Sequence, residues 1–258
     1  MMTTLLEVKD LTKRFGGLTA VNHFSTQLVE GELCALIGPN GSGKTTIFNV
    51  ITGIYEPTEG NVIFRGEDIS AKRPDQITKR GIARTFQNIR LFKGLNVLEN
   101  VIVGKHLRLD SDPVSAVFHL PKYMIEENEM RGTGMTLLES LGLERFAYEE
   151  PTSLPYGLQR KLEIARALAT EPSLLLLDEP AAGMSPSDAE ELMTFIQHIL
   201  KSFNLTIFLI EHQMRVVMGI CPRIIVIDHG EKIAEGNPEQ IQNNDRVIEA
   251  YLGVVDHA

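Results

Sequence analysis

The sequence of 258 residues is long enough for one large α/β domain or two small ones, and 43% of its residues are hydrophobic, which suffices for a substantial core. Acidic residues outnumber basic residues by 34 to 25, and the resulting net charge of −9 argues against a general nucleic-acid-binding surface. No apolar stretch approaches the roughly 18 to 20 residues of a membrane span.

Strands dominate the first third of the chain. Apolar patterns predict strands within Leu5–Phe15 and Phe24–Ile37, with a turn at Glu30–Glu32 before the last of them. The elements expected next are a helix that ends near Gly53, a turn over Glu56–Gly60, a strand over Asn61–Arg65, a short helix over Pro74–Arg80 and a strand over Ile82–Gln87.

The pattern becomes helical after Gln87. Two helices are marked by apolar residues at helical spacing, namely Leu95, Leu98, Val101 and Ile102, then Met130, Leu137, Leu138 and Leu141. The stretch from Asp110 to Pro121 between them is irregular. We therefore expect a single domain whose core spans about 1–87 and 161–258, with a mostly helical insert over about 88–160.

Strand and helix alternate in the last third, which is typical of a parallel sheet. The expected elements are strands over Ser173–Asp178, Leu205–Ile210, Arg223–Asp228 and Lys232–Gly236, helices over Ser187–Lys201 and from near His212, and two short closing helices. The predicted fold class is α/β with a mainly parallel sheet.

The segment Gly38–Thr45 is the most informative feature of the chain. Its sequence GPNGSGKT fits the P-loop pattern G-x-x-x-x-G-K-[ST], between the apolar strand Leu33–Ile37 and a helix. Backbone N–H groups of such a loop face phosphate oxygens, and the helix N-terminus adds positive potential. Lys44 is placed to reach the β- and γ-phosphates, and the Thr45 hydroxyl is placed for Mg²⁺. The residues predicted to bind the nucleoside triphosphate are Gly38, Pro39, Asn40, Gly41, Ser42, Gly43, Lys44, Thr45 and Thr46.

Two acidic residues follow another apolar strand. The run Leu174–Leu177 ends in Asp178, at the sheet edge where open α/β proteins bind ligands. Alone, such a pair would more often be a helix cap or a surface pair. Together with the P-loop, it predicts that Asp178 holds Mg²⁺ through water and that Glu179 polarises an attacking water.

Two further polar residues stand at predicted strand ends. His212 follows Leu205–Ile210 and is either a contact to a γ-phosphate or a capping or solvated histidine, and the sequence alone leaves both open. Gln87 precedes the helical insert, where an isolated glutamine is more often an ordinary loop residue.

The P-loop, Gln87, the segment Leu154–Arg160 (LPYGLQR), Asp178-Glu179 and His212 resemble, in this order and over the whole chain, the ATP-binding subunits of ABC transporters. The resemblance implies a P-loop core, an antiparallel β subdomain and a helical subdomain that meets a membrane partner. It also implies that Phe15 stacks on adenine and that Gln87 is the Q-loop glutamine. Pro180–Pro186 corresponds to the D-loop.

Several loops resemble more narrowly the ATPases of branched-chain amino-acid importers. These are Gly81–Phe92, the long insert over 88–153, the tyrosine within Leu154–Gly157, Ala181–Pro186 and Val247–Gly253. The resemblance implies that the chain powers the import of branched-chain or hydrophobic amino acids.

The segment Leu154–Arg160, called the signature segment below, departs from the Leu-Ser-Gly-Gly-Gln usual in the family. Pro155 replaces the serine and has no N–H or hydroxyl to donate to the phosphate held by the other subunit. The Gly157 N–H and a helix expected to start near Leu158 remain, so we expect weaker clasping rather than none. We also expect Arg160 to be solvated or near the bound anion. Ser185 stands where many D-loops carry aspartate.

The resemblance implies the following machinery. The cofactors are ATP and Mg²⁺, the metal residues are Thr45, Gln87 and Asp178, and the catalytic residues are Lys44, Glu179 and His212. Because each site needs a P-loop and a signature segment from opposite subunits, one copy of each implies a homodimer or a heterodimer with a paralogous ATPase. Integral-membrane permease subunits would hold this dimer at the inner face of the cell membrane.

Other functions stay open from the sequence. The chain could serve an exporter, which only the membrane partner would decide. A non-transport ABC ATPase for DNA repair or translation is disfavoured by the acidic charge and by the lack of a long heptad insertion. A non-enzymatic ATP-binding subunit is disfavoured by Glu179 and His212.

Two observations bear on location. The start, Met1–Glu7, lacks the basic region and apolar core of a secretion signal. Cys34 and Cys221 are far apart and are expected to be reduced packing residues. We expect a soluble cytoplasmic protein.

Overall fold

The computed structural model describes residues 3–105 and 121–252, without the side chains of residues 121–125 and 252. The chain divides into two compact units, Met1–Gln87 with Ser173–Ala258, and Asn88–Pro172. Most of the predicted irregular stretch from Asp110 to Pro121 lies outside the described residues. None of the described helices is both long enough and apolar enough to cross a lipid bilayer.

The first unit contains all the described strands. They are β1 (Thr4–Phe15), β2 (Leu18–Val29), β3 (Leu33–Ile37), β4 (Glu59–Phe64), β5 (Glu67–Asp68), β6 (Ile82–Arg84), β7 (Leu174–Asp178), β8 (Thr206–Ile210), β9 (Arg223–Asp228) and β10 (Glu231–Gly236). The helices of this unit are α1 (Lys44–Ile51), α2 (Pro74–Lys79), α6 (Pro186–Ser202), α7 (Met214–Ile220), α8 (Pro238–Gln242) and α9 (Asp245–Leu252).

The smaller sheet is antiparallel, with the strand order β2-β1-β4-β5. Leu6 of β1 lies opposite Leu28 on one side and opposite Phe64 on the other, and all three side chains are buried. Such apolar cross-strand neighbours hold the register of a sheet that has one buried face. This sheet is the antiparallel β subdomain that the family resemblance implies.

The larger sheet has the order β10-β9-β3-β8-β7-β6 and is parallel except for β10. Strands β3, β7 and β8 are buried along their whole length, as the apolar runs predict. Ile210 lies opposite both Leu36 and Asp178, so the carboxyl ends of the three strands are level. The residues that follow these strands therefore meet at one edge.

The second unit is helical. Its elements are α3 (Val97–Lys105), α4 (Pro121–Ser140), α5 (Tyr156–Leu168) and single 3₁₀ turns at Glu144–Phe146 and Pro151–Ser153. The unit runs past the expected end near 160 because α5 continues without a break to Leu168. Arg160, expected to be solvated or near an anion, is instead fully buried and pairs with buried Glu163 at 2.7 Å.

Several boundaries differ from those predicted. Strand β2 begins at Leu18 rather than Phe24, because it pairs with the end of β1 directly after a two-residue turn. Strand β6 ends at Arg84 rather than Gln87, because the last sheet bond in this region is from the Thr85 amide to the Leu176 carbonyl. Helix α7 begins at Met214 rather than near His212, because the Glu211 carboxylate takes the preceding amides. Helix α5 begins at Tyr156 rather than near Leu158, with Pro155 at its N-cap.

Both cysteines are buried and unbonded to each other. Burial raises the pKa of Cys221 to about 12 and raises that of Cys34 as well. Little reactive thiolate is present at neutral pH. Both cysteines therefore pack in the core, as expected.

Candidate active site

The loop between β3 and α1 forms a tight backbone cradle. Gly38 has φ 156°, and a Cβ there would lie 2.0 Å from the Ile227 carbonyl oxygen. Gly43 has φ 105°, and a Cβ there would lie 2.5 Å from the Ala20 carbonyl oxygen. Only glycine fits at these positions, because an L side chain would meet both backbone strain and a clash. The Gly230 amide adds a 2.9 Å bond to the Ser42 carbonyl, which fixes the loop against the β9–β10 turn.

Helix α1 starts at Lys44 without a side-chain cap. The first amides of a helix have no partner within it, so those of Lys44, Thr45 and Thr46 are available to an anion at the cradle. The Lys44 ammonium group is buried and donates to the carbonyls of Gly38 at 2.7 Å and Pro39 at 2.8 Å. An uncapped helix end, a glycine cradle and a buried cation together fit a polyphosphate.

Burial lowers the pKa of Lys44, and the charges of Glu179 and Asp178 oppose that shift. The two carboxylates thus help to keep the lysine protonated. A protonated lysine at this position can neutralise charge on a bound phosphate.

Three polar side chains converge beyond the ends of β6, β7 and β8. The Gln87 amide donates to Glu179 Oε2 at 2.7 Å, and His212 Nδ1 lies 3.4 Å from the same oxygen. The Glu179 backbone, with φ 47°, is held by a 2.9 Å bond from its amide to the Ile210 carbonyl. The strand register explains the meeting, because β7 and β8 end level with each other.

Asp178 ends β7 and is almost completely buried. Its Oδ2 accepts a 2.7 Å hydrogen bond from Arg84 Nη2, and both side chains are only 6% exposed. Thr45 lies exposed in the first turn of α1. Carboxylate and hydroxyl oxygens suit Mg²⁺, so the donor set here fits that ion.

Glu211 is a fully buried carboxylate that joins two loops. Its Oε1 accepts from the Ala181 amide at 3.0 Å, while Oε2 accepts from the amides of His212 at 2.9 Å and Gln213 at 3.1 Å. The Gln213 side chain returns a 3.0 Å bond to the Ala181 carbonyl. The segment after Glu179 and the segment that carries His212 are therefore held together.

Phe15 lies at the end of β1 and is 41% exposed. Its ring meets that of Tyr55 edge to face, with centroids 5.1 Å apart, and Lys13 Nζ lies 5.1 Å from its centroid. The ring is partly exposed, so it can contact a flat ligand.

The signature segment lies in the helical unit. Pro155 is the N-cap of α5 and makes no side-chain cap bond, and its carbonyl accepts from the Leu158 and Gln159 amides. Nothing lies within 4 Å of a Cβ placed on Gly157. The Gly157 amide lies in the first turn of α5, at the helix N-terminus.

Residues 21–182 match the family model described as ABC transporter. The chain belongs to the ABC transporter family. Residues 231–257 match a second model, described as Branched-chain amino acid ATP-binding cassette transporter. The predicted identity, an ATP-binding and ATP-hydrolysing cassette with an α/β P-loop fold, is confirmed.

Individual relatives agree over nearly the whole chain. The sequence is 45% identical to the high-affinity branched-chain amino acid transport ATP-binding protein LivG of Escherichia coli strain K12, over 98% of this chain and 99% of LivG. The crystal structure of the ADP conformation of MJ1267, an ATP-binding cassette of an ABC transporter, has a TM-score of 0.85 and 32% identity, over 97% of this chain and 99% of that one.

A dimeric relative is also known. The post-hydrolysis ATP-binding cassette MJ0796, bound to ADP and Pi, has a TM-score of 0.74 and 28% identity, over 91% of this chain and 99% of that one. That structure is a dimer.

The structure brings together most of the candidate residues of the first unit. Lys44, Gln87, Asp178, Glu179 and His212 come from the P-loop and from the ends of neighbouring strands, as expected. Sequence reasoning missed Arg84 and Glu211. Glu211 could have been found from the sequence, because it is a carboxylate between an apolar strand and the candidate histidine. Nothing in the sequence around Arg84, the last residue of the short strand β6, indicates that its side chain is buried.

Proposed function

We propose that this chain is the ATP-hydrolysing subunit of an importer of branched-chain or hydrophobic amino acids. The high identity to LivG and the match of the C-terminal segment to the branched-chain family model support that substrate class. The chain would lie at the inner face of the cell membrane, held there by integral-membrane permease subunits.

The observation that carries the proposal is the convergence of Gln87 and His212 on one oxygen of Glu179. A hydrolase needs a base whose position is fixed relative to the phosphate site. Here the candidate base follows β7, and the P-loop follows β3, which is separated from β7 only by β8. The level strand ends bring the base and the phosphate cradle to one edge of the sheet.

ATP would bind with its phosphates in the cradle of Gly38–Gly43 and on the first amides of α1. Lys44 would leave the carbonyls of Gly38 and Pro39 to contact the β- and γ-phosphates, since an ammonium group prefers an anionic oxygen to a carbonyl. The adenine would stack on Phe15, whose ring is supported from the edge by Tyr55.

Mg²⁺ would be held by Thr45, Asp178 and Gln87. The Gln87 amide nitrogen donates to Glu179, so the hydrogen bond places this side chain beside the proposed base. When bound, the ion supplies positive charge that offsets the negative charge on the phosphate oxygens.

Glu179 would act as the general base. Its carboxylate would accept a proton as water attacks the γ-phosphorus, while the bond from phosphorus to the ADP oxygen breaks. His212 would contact the γ-phosphate and orient Glu179. The Glu211 carboxylate fixes the backbone amide of His212, so the ring starts from a defined anchor.

A second copy or a paralogous ATPase would complete each site. The dimeric MJ0796 structure supports such a pair. The start of α5, with the amide of Gly157, would face the γ-phosphate bound by the partner. Pro155 would contribute no hydrogen bond, so the clasp would depend on backbone amides alone.

Co-purification followed by transport tests the proposal. The tagged chain, expressed in its native cells, should bring down integral-membrane subunits, and liposomes containing the complex should take up leucine when ATP is supplied. Lysine serves as the control solute, and a complex carrying Glu179→Gln serves as the control for energy supply. Isolation without membrane subunits, or ATP-driven efflux of leucine, would contradict the proposal.

A further inference from the structure

Arg84 is a buried arginine directly beside the proposed magnesium aspartate. Its Nη2 donates to Asp178 Oδ2 at 2.7 Å, and the exposed fraction of each side chain is 6%. Burying a guanidinium group is unfavourable unless it is paired, so this position indicates a specific task. No such task follows from the ATP-binding motifs.

The other side of the guanidinium group holds the P-loop helix. Arg84 Nη1 donates to Asn49 Oδ1 at 2.7 Å and lies 3.4 Å from the hydroxyl of Thr52. Asn49 belongs to α1, and Thr52 follows its last residue. One arginine thus connects the end of β7 to the helix that begins with Lys44 and Thr45.

Two aromatic rings lie close to the guanidinium group. The Cζ of Arg84 lies 5.6 Å from the ring centroid of Phe48 and 5.4 Å from that of Phe86. Phe48 is itself fully buried in the core, and Phe86 immediately precedes Gln87. Planar stacking and two separate N–H donors are properties of arginine that lysine does not share.

We propose that Arg84 is a positioning residue that sets the Asp178 carboxylate at a fixed place relative to α1, and so builds the divalent-cation site. The inference rests on the proposed role of Asp178 and Thr45 in holding Mg²⁺. Arg84 donates to Oδ2 of Asp178, whereas Oδ1 accepts no hydrogen bond from residues 3–105 and 121–252. A carboxylate with one oxygen tied by a second partner is oriented as in other metal sites, where loss of that partner weakens metal affinity about 10- to 100-fold.

The charge of Arg84, taken alone, would have the opposite effect and weaken cation binding. A positive charge beside Asp178 lowers the attraction of that carboxylate for a cation, so a pure competitor would weaken metal binding. The fixed geometry favours positioning, because the guanidinium group is held by Asn49 and by two rings whether or not a cation is present. Loss of Arg84 would raise the Mg²⁺ concentration at half-saturation if Arg84 positions Asp178, and would lower it if Arg84 only repels the cation.

The test is a titration of free Mg²⁺ against binding of a fluorescent, non-hydrolysable ATP analogue. We expect Arg84→Met to raise the Mg²⁺ concentration at half-saturation about 10- to 100-fold. Analogue affinity in EDTA should stay within about twofold of the wild-type value, since the cradle is intact. Arg84→Lys should give an intermediate shift, because it restores a donor to Asp178 without the second contact to α1.

Matched variants identify the cause. Arg80→Met removes a half-buried arginine that pairs with Glu67 rather than with Asp178 or α1, and should leave the titration unchanged. Asn49→Ala keeps the Arg84–Asp178 pair but cuts its connection to α1, and should raise the midpoint by a smaller factor. This second variant tests the proposal even if Arg84→Met does not fold.

Asp178→Asn distinguishes the proposed metal role of Asp178 from the proposed positioning role of Arg84. If it leaves the Mg²⁺ midpoint unchanged, the proposed metal role of Asp178 is wrong. If it raises the midpoint while Arg84→Met, Arg84→Lys and Asn49→Ala leave it unchanged or lower it, the role of Arg84 is overturned and the metal site stands. A raised midpoint in all four variants supports both.

Discussion

The side-chain amide of Gln87 donates a 2.7 Å hydrogen bond to Oε2 of Glu179. This bond joins the last residue before the helical unit to the proposed general base, although 92 positions separate them in sequence. It restrains the carboxylate and takes one of its oxygen lone pairs. Any movement of Gln87 therefore changes the position of the base.

Gln87→Ala should slow ATP hydrolysis about tenfold, because a hydrogen bond to a charged group contributes roughly 1.5–3 kcal/mol and orients the base. Steady-state phosphate release measures this, with analogue binding as the companion measurement. Gln242→Ala, at an exposed position on α8, is the control and should behave like the wild type. Unaltered hydrolysis in Gln87→Ala would show that the contact has no part in turnover.

Glu211→Gln should lower the free energy of unfolding by about 1–3 kcal/mol. The buried carboxylate accepts from three backbone amides, and a carboxamide turns one of its two acceptor atoms into a donor that faces an N–H. Turnover should fall as well, since His212 loses its anchor. Urea unfolding and an ATPase assay measure the two effects. Glu239→Gln, at an exposed site on α8, is the control and should change neither quantity. Equal stability of the two variants would show that the Glu211 carboxylate does not hold the two segments together.

Gly38→Ala should abolish nucleotide binding or folding. The added methyl would sit 2.0 Å from the Ile227 carbonyl oxygen, a contact that only a backbone shift of the P-loop relieves. Gly219→Ala is the matched change, because it is in α7 with open space around it, and should be neutral or slightly stabilising. Circular dichroism and binding of a fluorescent ATP analogue distinguish loss of folding from loss of the site. Tight binding by Gly38→Ala would mean that the cradle is not where phosphate binds.

Pro155→Ser should strengthen ATP-driven dimerisation by up to about 1.5–3 kcal/mol. Serine is a preferred N-cap and adds a hydroxyl at the start of α5, where Pro155 makes no side-chain bond. Light scattering in ATP, in a Glu179→Gln background, measures the dimer. Pro155→Ala relaxes the fixed φ without adding a hydroxyl and is the control. If serine and alanine act alike, backbone amides alone clasp the phosphate.

The sequence was sufficient for the parts of the site that lie on regular elements. An apolar run that ends in Asp178-Glu179, and another that leads to His212, predict residues at one sheet edge, since parallel strands share an end. The register of β7 against β8 then determines that Glu179 and His212 meet. The apolar run of each strand is enough to place its polar residue at that edge, without knowledge of distant contacts.

The missed features depend on contacts distant in sequence. Arg84 is buried because Asn49 and Asp178 both reach it, and nothing in the three-residue strand β6 encodes either partner. Ser185, which stands where many D-loops carry aspartate, caps α6 by accepting from the Asp188 amide. Arg160 is buried rather than solvated because Glu163, one turn further along α5, pairs with it in the core.

Glu179→Gln is the most direct test of the proposed mechanism. The change keeps the shape of the side chain and its place after β7, but removes its capacity to take a proton. We expect hydrolysis to fall by about 10²–10⁴ while affinity for ATP stays near the wild-type value, because the cradle and Lys44 are untouched. Glu249→Gln, exposed on α9, serves as the control. Phosphate release from Glu179→Gln at the wild-type rate, with ATP bound equally well, would contradict the assignment of Glu179 as the base.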